Sequence, residues 1–175
     1  MRVEKKEECI YELLEPDSLR EILGCYSSLK PRDVIHHLVP IRLYTDEGEE
    51  LLLVEENVWR ALRSLKCENI FTLGLHIASI RRNRVYLHLA LGSLLEHVIT
   101  HNYVVLPEPL VRKLLYGKPV VVTNVEYNLE STQHCPKAVL DEDRRFVAWA
   151  RVEENNGKLL IKPLIDVGWY LRSGV

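Results

Sequence analysis

The stretch from Arg145 to Ile165 constrains the fold more than any other part of the chain. Two runs, RRFVAWARVE and KLLIKPLI, each alternate with a period of two, and Asn156-Gly157 lies between them. That period puts successive side chains on opposite faces of an extended strand. Asn-Gly is the pair best suited to the two positive-φ positions of a type I′ turn. The expectation is a long antiparallel hairpin with one face in a core. On the first strand Arg145, Val147, Trp149 and Arg151 share one side, and Phe146, Ala148, Ala150 and Val152 the other. On the second, Lys158, Leu160 and Lys162 oppose Leu159, Ile161 and Ile165, a natural core face.

A two-residue loop pairs Asn155 with Lys158 and Arg151 with Lys162, gathering Arg145, Trp149, Arg151, Lys158 and Lys162 on one surface. A three-residue loop with Gly157 left-handed shifts the pairing by one and divides the set; both registers are open to this sequence. Cations beside a flat ring suit RNA, whose phosphates need positive charge and whose unstacked bases need a platform. The neighbouring Glu153 and Glu154 count against a strong phosphate site. Trp149 reads equally well as a core aromatic, because large aromatic side chains are mostly buried.

Composition bears on the rest. A chain of 175 residues, 47% hydrophobic and 27% charged, is that of an ordinary globular protein of one compact domain or two small ones. No apolar run reaches the length of a membrane span, and the N-terminus lacks the basic-then-apolar order of a signal peptide. A soluble, cytoplasmic protein is expected, nucleolar if the host is eukaryotic. The net charge of −2 conceals a division: residues 1–68 carry 10 Lys/Arg against 15 Asp/Glu, net −5, and residues 69–175 carry 13 against 10, net +3. A basic half permits an anionic partner. The cysteines Cys9, Cys25, Cys67 and Cys135 are too widely spaced for a zinc motif and do not suggest a disulfide scaffold.

Along the chain, Ile10, Leu13 and Leu14 recur at helical spacing, so the first 24 residues read as an acidic amphipathic helical opening, with Asp17 as a cap and Gly24 as a stop. PIRLYT and LLLV flank Asp46-Glu47-Gly48 as a hairpin. Val58, Leu62 and Leu65 mark one helical face capped by Asn57. FTLGLHIASI and RVYLHLAL read as strands joined by Arg81-Arg82-Asn83-Arg84, and Ser93–Val98 as a short helix. The polar stretch ITHN is the candidate boundary, giving domains 1–99 and 100–175. Beyond it come strand YVVL, a helix from Pro109 to Gly117, strand KPVVVTNV, an irregular stretch, the long hairpin and a terminal helical turn, VGWYLR. Few helices among many strands point to a small, mostly β second domain. Arg112, Lys113 and Lys118 form a second basic group on and after its helix.

Catalytic readings find little support. His36-His37 beside Asp33 lacks a partner motif, and adjacent histidines on a strand point to opposite faces. Ser131, Thr132, His134 and Cys135 put a nucleophile near a base in sequence, but catalytic pairs are assembled in space with a third orienting group. His76 and His88 lie in apolar alternating strands and read as structural. Asp46–Glu50 lacks calcium-loop spacing. No nucleotide-binding or hydrolase motif is present, so neither cofactor, metal nor catalytic activity is expected.

Several strings resemble a known family: Leu73-Gly74, Tyr86-Leu87-His88, Leu115-Tyr116-Gly117, and Asp166-Val167-Gly168-Trp169-Tyr170-Leu171-Arg172. Over roughly residues 51–172 their order and intervals are similar to those of the ribosome-biogenesis family called Nip-seven, in its archaeal form. The resemblance implies an α+β protein of two small domains, an N-terminal mixed α/β domain with an antiparallel sheet and a C-terminal PUA-like β pseudo-barrel. It also implies a monomeric, non-enzymatic accessory factor in pre-rRNA maturation and large-subunit assembly. Such a factor holds single-stranded or loop RNA with Arg145, Trp149, Arg151, Lys158, Lys162, Lys118, Arg112 and Lys113, and engages assembly proteins through its N-terminal domain. Glycines usual in PUA strands are replaced here by Ala148, Ala150 and Asn124-Val125. That favours an alternative, a protein-interaction adaptor that no longer binds RNA; an RNA-modifying enzyme is the third reading.

Overall fold

The computed structural model of this protein describes residues 10–62, 73–130 and 135–172. The first sheet is an antiparallel meander of β1 (Ile10–Leu13), β2 (Leu38–Thr45), β3 (Gly48–Glu55), β4 (Leu75–Arg81) and β5 (Arg84–Leu87), in that spatial order. A 3-10 turn (Pro16–Leu19) and helices α1 (Arg20–Gly24), α2 (Pro31–Ile35), α3 (Glu56–Leu62) and α4 (Leu89–Leu95) accompany it. The second sheet holds β6 (Tyr103–Val105), β7 (Val120–Val122), β8 (Tyr127–Asn128), β9 (Lys137–Leu140), β10 (Phe146–Asn155) and β11 (Lys158–Asp166), ordered β7-β11-β10-β9-β6-β8, with β6 and β9 parallel. It curls into a half-barrel, flanked by α5 (Glu108–Leu115) and α6 (Trp169–Arg172). The expected α+β architecture of two domains is the one observed.

The β2–β3 hairpin shows why local sequence forms these elements. Leu51, Leu52, Leu53 and Val54 are all buried, because both faces of β3 are covered. Leu51 and Leu53 enter one core, and Leu52 and Val54 join Ile41 and Leu62 of α3 in another. Gly48 opens β3 at φ +141°, with the place of a side chain taken by the Ile80 carbonyl oxygen on β4. A third core, of Val104, Leu106, Leu114, Val120, Val139, Leu159 and Ile161, fills the half-barrel.

The largest core ignores the domain boundary. Tyr26, Leu91 and Leu95 from the first half pack with Tyr103, Phe146 and Trp149 from the second. The Trp149 ring lies 4.8 Å from those of both Tyr26 and Phe146. Gly92 of α4 is required here, since a Cβ would meet the Phe146 ring at 2.2 Å. Asn102, fully buried at φ +54°, seals the junction: its amide Nδ2 donates to the Cys25 carbonyl at 2.7 Å, and its Oδ1 accepts from the Glu130 N–H at 3.1 Å.

Several sequence expectations need correction. Ile10 to Leu13 is not helical; it pairs antiparallel with β2, Ile10 opposite Tyr44, because four residues gain more from an open strand edge than from one helical turn. Asp17 makes no capping bond in the 3-10 turn, whose N-cap is Glu15. Helix α4 starts at Leu89 rather than Ser93, and the irregular stretch contains β8 and β9. His36 and His37 follow α2 instead of lying on a strand. A disulfide joins Cys25 to Cys135 across 110 residues, since folding brings their Cα atoms to 6.4 Å. Leu65, and the reading of Ser131, Thr132 and His134 as a nucleophile and base, lie outside the described residues.

Candidate nucleic-acid interface

The hairpin adopts the two-residue register. Asn156 and Gly157 have φ of 50° and 73°, Asn155 faces Lys158, and Arg151 faces Lys162. Residues directly opposite share a face, so Arg151, Glu153, Lys158, Leu160 and Lys162 line the outer side of the sheet. On the β7 edge Val121, 60% exposed, faces Leu160. The pairing ends where Val120 meets Ile161, and Lys118 stands two residues before it, exposed at the end of this edge. Arg151 and Lys162 thus pair on the outer face, and exposed Lys118, just before the β7 edge, completes a row of three cations at this end of the sheet.

The alternation does not carry through to Trp149 as expected. A bulge lies between Trp149 and Ala150, which pair with Ile165 and Pro163 and leave Leu164 as the extra residue. Leu164 is 55% exposed, and Ile165 turns from the expected core face to pack with the interdomain core. Trp149 remains on the Arg151 side of its strand, but the first domain covers that side here. At 1% exposure, with its Nε1–H donating to the His88 carbonyl at 2.9 Å, Trp149 is a core residue and not a base platform. Arg145 is separated from Arg151 by six residues of strand, about 20 Å, and pairs with Asp143 at 3.2 Å. It does not join the row.

The remaining candidates differ in how far their charge is spent locally. Lys162 pairs with Glu153 at 2.8 Å, and Arg112 with Glu108 one helical turn away. Lys113, Lys118, Arg151 and Lys158 are exposed and form no ion pair with a described residue. Lys118 and Arg151 are therefore the members of the row whose charge is most available to a phosphate.

Beside this row two of the strings noted in the sequence meet. Arg172 of α6 forks onto Asp166, with Nη1 to Oδ1 at 3.0 Å and Nη2 to Oδ2 at 2.8 Å, and Nη1 also donates to the Leu115 carbonyl at the end of α5. Asp166 is 2% exposed and accepts a further bond from the Gly168 N–H at 2.9 Å. A Cβ on Gly168 would stand 2.6 Å from the Leu115 carbonyl oxygen, so only glycine lets these segments touch. This seam presents Tyr116, 72% exposed, and Trp169, 47% exposed. Sequence reasoning did not assign these rings to the surface, although both stand inside the strings that carried the resemblance. Position alone does not reveal that their neighbours are anchored while they face outward.

In the first domain a polar network sits on β3, β4 and the residue after β5. The Ser79 Oγ lies 2.6 Å from Glu50 Oε2 and 2.7 Å from His88 Nε2, and Arg81 pairs with Glu50. Burial favours the neutral His88 ring; Glu50 opposes this, but His76 and Arg81 add to the burial effect and the pKa is lowered. For Glu50 burial acts upward, and the hydrogen bonds from Ser79 and Arg81 outweigh it, so its pKa is lowered. Ser79 is buried, and the carboxylate faces the serine rather than the second ring nitrogen of the histidine. The arrangement satisfies buried polar atoms, and among the described residues no third group orients His88 as in an activated nucleophile. Among the described residues no group of three or more His, Cys, Asp or Glu could hold a metal ion, and no helix is long and apolar enough to cross a membrane.

Residues 102–175 match the UPF0113 PUA domain family. No curated protein matches the chain. Among solved structures, a conserved PUA domain protein from Thermoplasma acidophilum shares the fold with a TM-score of 0.51 and 8% identity, over 94% of this chain and 99% of that one. The second domain is a PUA domain, a fold commonly used to bind RNA, which supports a general RNA-binding role.

Proposed function

We propose that this protein is a non-catalytic RNA-binding factor whose PUA domain holds single-stranded or loop RNA along the Lys118–Lys162–Arg151 row. The observation that carries this reading is the unspent charge of Lys118 and Arg151 on a domain that also exposes the rings of Tyr116 and Trp169. Together they supply phosphate neutralisation and stacking surface. The resemblance to the Nip-seven family supports a finer assignment: pre-rRNA maturation and large-subunit assembly in the cytoplasm or nucleolus, as a monomer, with the acidic first domain engaging assembly proteins. The buried Ser79 and the wrongly placed Glu50 support a role without catalysis.

The test is fluorescence anisotropy of a labelled single-stranded RNA in dilute buffer. Wild-type protein binds, and the Lys118→Ala/Arg151→Ala double variant binds at least tenfold more weakly with an unchanged circular dichroism spectrum. Equal binding by the two proteins removes the row from the site. The adaptor reading is favoured by the Lys162–Glu153 ion pair and by exposed Val121 and Leu164 on the same face. Protein capture that survives nuclease, without any RNA shift, selects it.

A further inference from the structure

The seam between the domains contains a second cationic feature that the hairpin face does not use. A cleft of about 320 Å³ is lined by Arg20, Leu23, Ser27, Leu29 and Lys30 from the first domain and by His101 and Glu130 from the second. Arg20 and Lys30 are exposed and form no ion pair with a described residue, while Glu130 has His101 facing it at 3.8 Å. The Ser27 Oγ accepts the Leu29 N–H at 3.2 Å, which leaves its O–H to donate. Leu23 is buried beneath the cleft, and Leu29, 46% exposed, gives it an apolar side.

The walls are held in place by bonds across the domain boundary. The Tyr26 carbonyl accepts from the Thr100 N–H at 2.8 Å and from the His101 N–H at 3.2 Å. Asn102 ties the Cys25 carbonyl, and Cys25 is bonded to Cys135. Arg20 and Lys30 outnumber Glu130 in the lining, and a cleft with an excess of one charge concentrates the opposite one; domain interfaces are common sites for small ligands. At 320 Å³ this one stands at the lower end of ligand-binding volumes, too small for several nucleotides and adequate for one. The two cations match the two negative charges of a phosphomonoester, which occurs on a chain end or a free nucleotide and not on an internal phosphodiester.

We propose that this interdomain cleft binds a single nucleotide bearing a terminal phosphate, with Arg20 and Lys30 on the phosphate and Leu29 against the base. The chemistry is shared by a 5′-phosphorylated RNA end and a free nucleoside monophosphate. The assignment of the RNA end rests on the RNA-binding reading above, whereas mononucleotide binding does not.

Calorimetric titration of the full chain with uridine monophosphate and with inorganic phosphate tests the site. Anisotropy with 5′-phosphorylated and 5′-hydroxyl forms of one RNA tests the source of the ligand. Saturable uridine monophosphate binding is expected, tighter than that of phosphate and at least tenfold weaker in Arg20→Ala/Lys30→Ala. Both positions are exposed, and an unchanged melting temperature shows that the variant is folded. Wild type is expected to prefer the 5′-phosphorylated RNA several-fold, and this variant to lose the preference. Absence of saturable nucleotide binding, equal affinity for phosphate and nucleotide, or undiminished binding by the variant overturns the site. Nucleotide binding without a preference between the RNAs overturns the RNA-end assignment alone. Lys118→Ala/Arg151→Ala leaves nucleotide binding intact, so failure of the hairpin face and failure of the cleft give different results.

Discussion

Trp149 of the PUA domain donates its indole N–H to the main-chain carbonyl of His88 in the first domain at 2.9 Å, and this bond crosses the domain boundary inside a shared core. The ring is 1% exposed between Tyr26 and Phe146. The two domains accordingly bury a common hydrophobic surface.

Removing that ring is expected to destabilise both halves together. Trp149→Ala should cost about 3–5 kcal/mol, as large-to-small core changes do. Trp149→Phe should cost about 1 kcal/mol for the missing hydrogen bond, because the His88 carbonyl still accepts from the Leu91 N–H at 3.2 Å. Urea unfolding followed by far-ultraviolet circular dichroism and by tryptophan fluorescence should show one coincident transition. Two separated transitions in the wild-type protein contradict the shared core.

On the face proposed to hold RNA, removing one phosphate-neutralising cation should flatten the dependence of log K on log salt by about 0.7 for a single strand. Lys118→Ala and Arg151→Ala are each expected to do so, whereas Arg145→Ala, whose side chain pairs with Asp143 away from the row, is not. Trp169→Ala should weaken binding by about 1–3 kcal/mol without changing the slope, as removal of a stacking platform does. A slope change for Arg145→Ala equal to that for Arg151→Ala is incompatible with the observed separation.

The polar network of the first domain predicts acid sensitivity in two stages. The His88 pKa is lowered by folding, chiefly through burial, so the unfolded chain takes up a proton first. The corresponding stability is intact above the unfolded value of about 6.5 and is lost as pH falls through the folded value. Glu50, also lowered by its net environment, behaves the same way further down, below its ordinary value of 4.5. The melting temperature should therefore decline from pH 7.5 to 5 and more steeply below 4.5. His88→Asn should remove the first decline; an identical pH profile in that variant is the contrary result.

The Cys25–Cys135 bridge closes a loop of 110 residues, for which chain entropy sets an upper contribution of about 4–5 kcal/mol. A reducing agent is expected to lower the melting temperature. Cys25→Ser should melt at the temperature of the reduced wild type and be insensitive to reductant. A melting temperature indifferent to reductant in the wild type shows that the bridge does not contribute.

How much of this was legible in the sequence varies with the range of the interactions. Asn156-Gly157 and its flanking alternation determined the hairpin but left two registers open; the folded chain takes the two-residue loop, which pairs Arg151 with Lys162. Pro109 in the first turn and Gly117 at φ +72° after the last likewise bounded α5. The helical reading of Ile10 to Leu13 failed because a four-residue pattern cannot outweigh an available strand edge.

Which side of a strand meets water was decided only by the tertiary structure. Period-two alternation separates two faces without saying what covers them. Arg151 and Trp149 share a face, and one is exposed while the other is buried, because the first domain overlies the strand at Trp149 and ends before Arg151. The same holds for the Arg172–Asp166 fork that anchors the seam beside Tyr116 and Trp169, and for the cysteines brought together from 110 residues apart. Local pattern sets backbone geometry; burial depends on partners distant in sequence, and those exist only once the chain has folded.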